Sequence, residues 1–235
     1  MVSRSRSTSS PSSVAESPDH CVEGGAPTRR IALLDPQMSF VVAQLANPVV
    51  RAAVEPVDLY TLPDIDLTPY HALIVSAFAD QEFLFRERAH LRAFLDDGKV
   101  LLFSGHLFRP WLPGGAPFEP KTIRSHWDYA VKNVAPHPIF AGVTADDLTY
   151  RRGVAGFFAR GSHPPPDGAE VLVAFTSGEP VFSIDRRSTG GTIVLHSGND
   201  LLELVGIATT AGRVVPQLFT WMDDEYRALQ RGDAR

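Results

Sequence analysis

The chain carries a single cysteine, Cys21, in 235 residues. One thiol excludes an internal disulfide framework and a multi-cysteine metal cluster. Long apolar runs are missing too: none approaches the roughly 20 residues that a membrane-spanning helix needs, so no membrane partner is expected. Positive charge is not in surplus. Lys and Arg total 22 against 27 Asp and Glu, a formal net charge of −5, and a sequence-independent nucleic-acid binder would show a strongly basic face instead. No internal repeat is visible. What is present is an ordinary soluble composition, 44% hydrophobic and 21% charged. It is long enough to bury a sizeable core in one domain or two small ones.

Residues 1–29 differ from the rest. They are rich in Ser, Pro and Gly and poor in large apolar side chains, a composition that cannot offset its ordering entropy. A disordered tail is expected there. Arg4 and Arg6 precede no apolar stretch of the secretory kind. Glu16, Asp19 and Glu23 do not suit an organelle presequence, so a cytoplasmic location is expected.

Folded sequence is expected from residue 30 to 235. Ile31-Ala32-Leu33-Leu34 is a short continuous apolar run of the sort found in buried parallel strands. Residues 38–53 have helical spacing, with Pro48 bending or splitting the helix. Val57 to Leu62 and His71 to Ser76 read as the next strands. Residues 80–97 form the best helix, with Phe83, Leu84, Leu91, Phe94 and Leu95 on one face and Gly98 at the C-cap. Val100 to Phe103 is a fourth strand, ending at Ser104-Gly105-His106. The prolines and glycines of residues 107–134 predict an irregular insert of the kind that is usually functional or a lid. Further β segments are expected at 154–158, 169–175, 180–184 and 191–196, a helix start at 199–205, and a closing helix at 214–229. This alternation predicts an α/β sheet with helices on both faces.

Three pieces in order carry a family resemblance. A helix ends in Asp96-Asp97-Gly98-Lys99 and runs into the strand and turn Val100 to His106. Pro136-His137-Pro138-Ile139-Phe140-Ala141-Gly142-Val143 follows. Ala169 to Ala174 then leads, through a hairpin, to Gly190-Gly191-Thr192-Ile193-Val194-Leu195-His196. Over roughly residues 30–225 the chain resembles the class I glutamine amidotransferase-like superfamily, in its divergent ThuA-like branch. The resemblance implies a flavodoxin-like three-layer sandwich with a mainly parallel central sheet. It also implies a site at the carboxyl ends of the strands, where open α/β sheets bind ligands.

Amidotransferases of this superfamily place a catalytic cysteine at the turn matching Ser104-Gly105-His106, where a nearby imidazole activates the thiolate. No cysteine stands there, so glutamine hydrolysis by a Cys-His-Glu triad is not expected. Ser104 lacks the upstream glycine of a nucleophile elbow, and the alternative is a serine bonded to turn backbone. His106 sits where the family places its site, as a general base, a ligand-binding group or a ring satisfied by backbone. His196 emerges at another strand end, followed by Asn199 and Asp200, which bind a hydroxylated ligand or cap the next helix. Arg109, Trp111, His126 and Asp128 in the insert suit sugar or anion recognition, or cover the body of the domain. His106, His126, His196 and Asp200 show no H-x-H or H-E-x-x-H spacing, so neither a metal nor another cofactor is expected.

Two functions are expected from these residues. The first is a non-catalytic or regulatory domain that binds a small polar metabolite, carbohydrates included, through Ser104, Gly105, Arg109, Trp111, His126, Asp128, His196 and Asn199. The second is a cysteine-independent hydrolase or sugar-modifying enzyme using His106 with Asp200 or Asp128. A partner-binding scaffold is the weaker alternative, and homo-oligomerisation is left open.

Overall fold

The computed structural model describes residues 30–233, together with Met1. The predicted tail and Cys21 therefore lie outside the described residues. The central sheet has eight strands: β1 (Arg30–Asp35), β2 (Val54–Asp58), β3 (Tyr70–Val75), β4 (Val100–Ser104), β5 (Val131–Asn133), β6 (Glu170–Phe175), β7 (Pro180–Asp185) and β8 (Thr192–His196). Their spatial order is β2-β1-β3-β4-β8-β7-β6-β5. The first five in that order run parallel. From β8 onward the pairs β8–β7, β7–β6 and β6–β5 are antiparallel. The expected α/β sandwich with a mainly parallel sheet is the observed fold.

The continuous apolar runs follow from covering both faces of this sheet. Ile31, Leu33, Ala72, Ile74, Val100 and Leu102 face one layer, closed by α1 (Ser39–Leu45), α2 (Pro48–Ala53) and the long C-terminal helix. Ala32, Leu34, Leu73, Val75, Leu101 and Phe103 face the other, closed by α3 (Gln81–Arg86) and α4 (Arg88–Asp96). Two further helices of the described residues are α5 (Ala145–Thr149) and α6 (Val214–Arg231). The helix after β1 and the helices after β3 thus lie on opposite faces. The chain diverges between those neighbouring strands and leaves a crevice at their carboxyl ends.

Several boundaries differ from expectation for identifiable reasons. Pro48 splits the first helical stretch outright: Asn47 Oδ1 accepts from Val49 N–H at 2.9 Å and Pro48 opens α2, where a missing N–H costs nothing. The second strand occupies 54–58 rather than 57–62. Pro56 is accommodated because β2 is an edge strand, and Asp58 caps the 3₁₀ turn Leu59–Thr61 that follows. The helix over 80–97 breaks at Glu87, whose backbone leaves the helical region at φ −90° and ψ 11°. Gly98 does terminate it, at φ +72°. The segment at 154–158 contributes a two-residue strand, Val154–Ala155, which hairpins with Tyr150–Arg151. Residues 201–204 form a 3₁₀ turn rather than an α-helix. The insert holds strand β5, which the sequence pattern does not signal because Val131 is its one apolar residue. Its Glu119–Pro120 also pairs antiparallel with Gly161–Ser162 outside the insert.

Leu102 is fully buried at the middle of the parallel sheet. Leu102→Ala should cost about 2–5 kcal/mol, read as a lower urea midpoint at unchanged slope. An unmoved midpoint would contradict its place in the core.

Candidate functional site

The turn after β4 is built by its glycine. Gly105 adopts φ +139°, and a Cβ there would stand 2.9 Å from the Ala77 Cα and 3.0 Å from the Phe103 ring. Its N–H donates to the His196 carbonyl at 3.0 Å, locking the ends of β4 and β8 together. Gly105 is therefore a structural residue of the rim. Ser104 is buried, and its Oγ accepts from Leu201 N–H at 3.4 Å. It serves turn backbone and is not presented as a nucleophile.

His106 stands exposed on the rim and stacks on Phe118, with centroids 3.7 Å apart at 15°. Partial desolvation lowers its pKa, and the positive charge of Arg160 adds to the effect. Below it lies a histidine that the sequence reading passed over. His163 is buried between the insert and β8. Its Nε2 accepts from Leu107 N–H at 3.0 Å, and its Nδ1 lies 2.7 Å from Ser197 Oγ. Because a backbone N–H occupies Nε2, the ring proton resides on Nδ1 and is donated to the Ser197 oxygen. A serine–histidine dyad needs the reverse, with the imidazole accepting from the hydroxyl. His163 is thus a pin between two segments. Burial pushes its pKa down to about 4, helped by the neighbouring His106. The one sequence signal for it is its position before the run Pro164-Pro165-Pro166, which favours extended backbone.

His196 is fully enclosed at the end of β8, against Phe158 at 4.6 Å. The main chain of Phe158 and Asn199 approaches its ring, but desolvation dominates and pushes its pKa down to about 3. Asp200 is also buried. Its Oδ2 accepts from Ser76 Oγ at 2.7 Å and from Gln44 Nε2 at 3.4 Å, and its Oδ1 accepts from Ala77 N–H at 2.6 Å. Desolvation raises its pKa, opposed by these three donors. The carboxylate is committed to the crevice between β1 and β3, and it shares no hydrogen bond or ion pair with His106. The acid–base pairing of these two residues is not formed. Ser76, Gln44 and Ala77 gave no sequence signal as a group, because they converge from the end of β3 and from helix α1.

His196, Asn199 and Asp200 do come together in the wall of a cavity of about 500 Å³. Tyr150, Arg151, Phe157 and Glu203 line its other sides. Arg151 donates to Glu203 at 2.9 Å and so ties the small hairpin to the segment after β8. Asn199 is exposed at the rim, available to a ligand.

The insert residues are not brought to this cavity. Trp111 is fully buried, edge-on to Phe103 at 5.1 Å, with its indole N–H 3.3 Å from Gln81 Oε1. It covers the body of the domain. Gln81, also missed, organises the start of the insert: its amide donates to the His106 carbonyl and accepts from Phe108 N–H. Arg109 pairs with Glu82 at 2.8 Å and lies over the Phe85 ring. Asp128 accepts from the N–H groups of Arg124 and Ser125, which lower its pKa, and so closes a local turn. His126 stays at the surface beside Trp127. Among the described residues, no group of three or more His, Cys, Asp or Glu is placed to hold a metal. No helix of the described residues is long and apolar enough to cross a membrane.

No protein-family model matches the chain, and no curated protein matches it either. Among solved structures it is similar to Gan42B, a GH42 β-galactosidase from G. stearothermophilus, at 13% identity and a TM-score of 0.45. A catalytic mutant of the same enzyme gives 13% and 0.44. Each alignment covers 83% of this chain and 30% of the other, so the chain spans under a third of the length of those proteins.

Two of the buried imidazoles, His163 and His196, set a pH dependence. Their folded values, about 4 for His163 and about 3 for His196, lie below the ordinary 6.5. The unfolded chain therefore takes up protons first as pH falls. Stability is intact above pH 6.5 and declines from there toward the folded values, while the raised Asp200 acts in the opposite sense. The loss should reach roughly 3 kcal/mol per histidine near pH 4, measured by denaturant titration across pH. His163→Gln should remove about one proton from that slope. A slope identical to the parent would show that His163 titrates alike in both states.

Proposed function

We propose that this chain is a non-catalytic, regulatory ligand-binding domain of the amidotransferase-like, ThuA-like kind, acting in the cytoplasm. It takes a small hydroxylated metabolite, carbohydrates included, in the cleft beside the carboxyl end of β8. The observation that carries this reading is the 500 Å³ cavity walled by Asn199, Arg151, Glu203 and Tyr150 above the buried His196 and Asp200. Its volume suits a small molecule. Its walls alternate donors and acceptors with the Phe157 and Phe158 rings, the mixture that hydroxyl-bearing ring compounds require.

The non-catalytic part rests on how the reactive groups are engaged. Ser104 serves backbone, Ser197 accepts from a neutral His163, and the carboxylate of Asp200 is held by three donors. Activation of a nucleophile needs a base free to accept its proton, and these groups do not supply one to each other.

A thermal-shift panel of sugars, nucleotides, amino acids and divalent metals tests the reading. A sugar at 100 times its Kd should stabilise the fold by about 2.7 kcal/mol. Asn199→Ala should weaken that sugar about tenfold, the order of one or two lost hydrogen bonds, with the melting temperature of the free protein unchanged. Stabilisation by metals alone, or turnover of the bound sugar followed by proton NMR, would sink it.

A further inference from the structure

The cavity just described has a neighbour. A second hollow of about 730 Å³ adjoins it and shares Arg151, Arg152, Phe157, Asn199 and Glu203 with it as a common wall. Its far side is formed by Phe40 and Phe78. These rings stack nearly parallel, with centroids 5.3 Å apart at 13°. Both are left open to solvent, at 55% and 42% of full exposure. We propose that this second lobe is a subsite for a planar aromatic group, so that the ligand is an aryl-substituted hydroxylated molecule rather than a free polyol. The inference rests on the ligand-binding reading above and names the substrate class of that cleft.

Three independent observations lead there. The first is topological. Phe40 follows β1 and Phe78 follows β3, and the chain leaves these strands toward opposite faces of the sheet. The pair therefore stands at the crevice where open α/β sheets receive ligands. Asp200 fills the floor of the same crevice through Gln44, Ser76 and Ala77, which fixes the backbone that carries both rings.

The second is continuity. The polar head of a ligand bound against Asn199 and Glu203 reaches the aromatic pair without leaving the cleft, because those residues belong to both lobes. The third is shape. Two parallel rings offer a flat face that a third ring extends by stacking, a preference that a flexible acyl chain does not share. Arg152 occupies the first position of the two-residue turn at φ +51°. It forms no salt bridge among the described residues and lines both lobes. A guanidinium so placed suits the open face of a bound ring.

The test uses calorimetry on the full chain with matched probes: p-nitrophenyl, methyl and octyl glycosides of the same pyranoses. The aryl glycoside should bind about tenfold more tightly than the methyl glycoside, the increment of one aromatic stack. Phe78→Ala should erase that advantage and leave methyl glycoside affinity within about twofold. Phe78→Leu, which keeps apolar bulk without a flat face, should erase most of it. It also decides the matter if the alanine variant does not fold. Equal binding of aryl and methyl probes, an octyl probe that matches the aryl one, or an aryl advantage that survives both variants would overturn the subsite and leave the polar cleft standing. Silence from all three probes would overturn the cleft and the subsite together.

Discussion

One buried carboxylate organises the carboxyl edge of this fold. Asp200 leaves the end of β8, passes beneath the rim, and accepts hydrogen bonds from Ser76 and Ala77 beyond β3 and from Gln44 on α1. Without that acceptor, the crevice between β1 and β3 would hold buried donors with no partner, each costing about 1–3 kcal/mol. The penalty for burying the carboxylate itself appears as its raised pKa. The balance favours the bonded arrangement because three donors converge on two oxygens, and a satisfied network in a low-dielectric site is stiff. The floor of the cleft is consequently a bonded, stiff piece of structure.

The same logic governs the histidines. His163 ties Leu107 of the insert to Ser197 of the β8 end, and His196 is sealed beneath Phe158 and Phe182. Both are buried rings held neutral by desolvation. Imidazoles at strand ends attract a catalytic reading because the position is privileged. Here the partner on each nitrogen decides the role, and a backbone N–H on Nε2 makes His163 a donor toward the serine. His106, unlike these two, remains at the surface, stacked on Phe118, outside the walls of both cavities.

The residues that line the two cavities sit in segments that carry weak pattern. Arg151 and Arg152 belong to a hairpin of two-residue strands, and Phe157 to the loop that leaves it. Phe40 occupies a seven-residue helix that turns Val41 and Gln44 inward and leaves Phe40 and Val42 in solvent. That exposure breaks the usual rule for large apolar residues only because it is paired and placed at a crevice. Isolated exposed phenylalanines would need no account.

Periodicity was enough to read β1, β3, β4 and β8, the break at Pro48, the stop at Gly98 and the terminal helix, because each of these depends on neighbours within a turn or two of chain. The turn at Ser104-Gly105-His106 was legible as a strand end for the same reason. The second strand and strand β5 were misplaced or missed, since an edge position tolerates Pro56 and a three-residue strand has too little alternation to register. Which polar residues meet was settled only by the tertiary fold. Gln44, Ser76 and Asp200 are far apart in sequence and join because parallel strands deliver their carboxyl ends to one edge. Trp111 and Arg109 were drawn away from that edge by Phe103, Gln81 and Glu82. Hydrogen-bond partnership and burial belong to three-dimensional neighbours, and local composition carries no record of them.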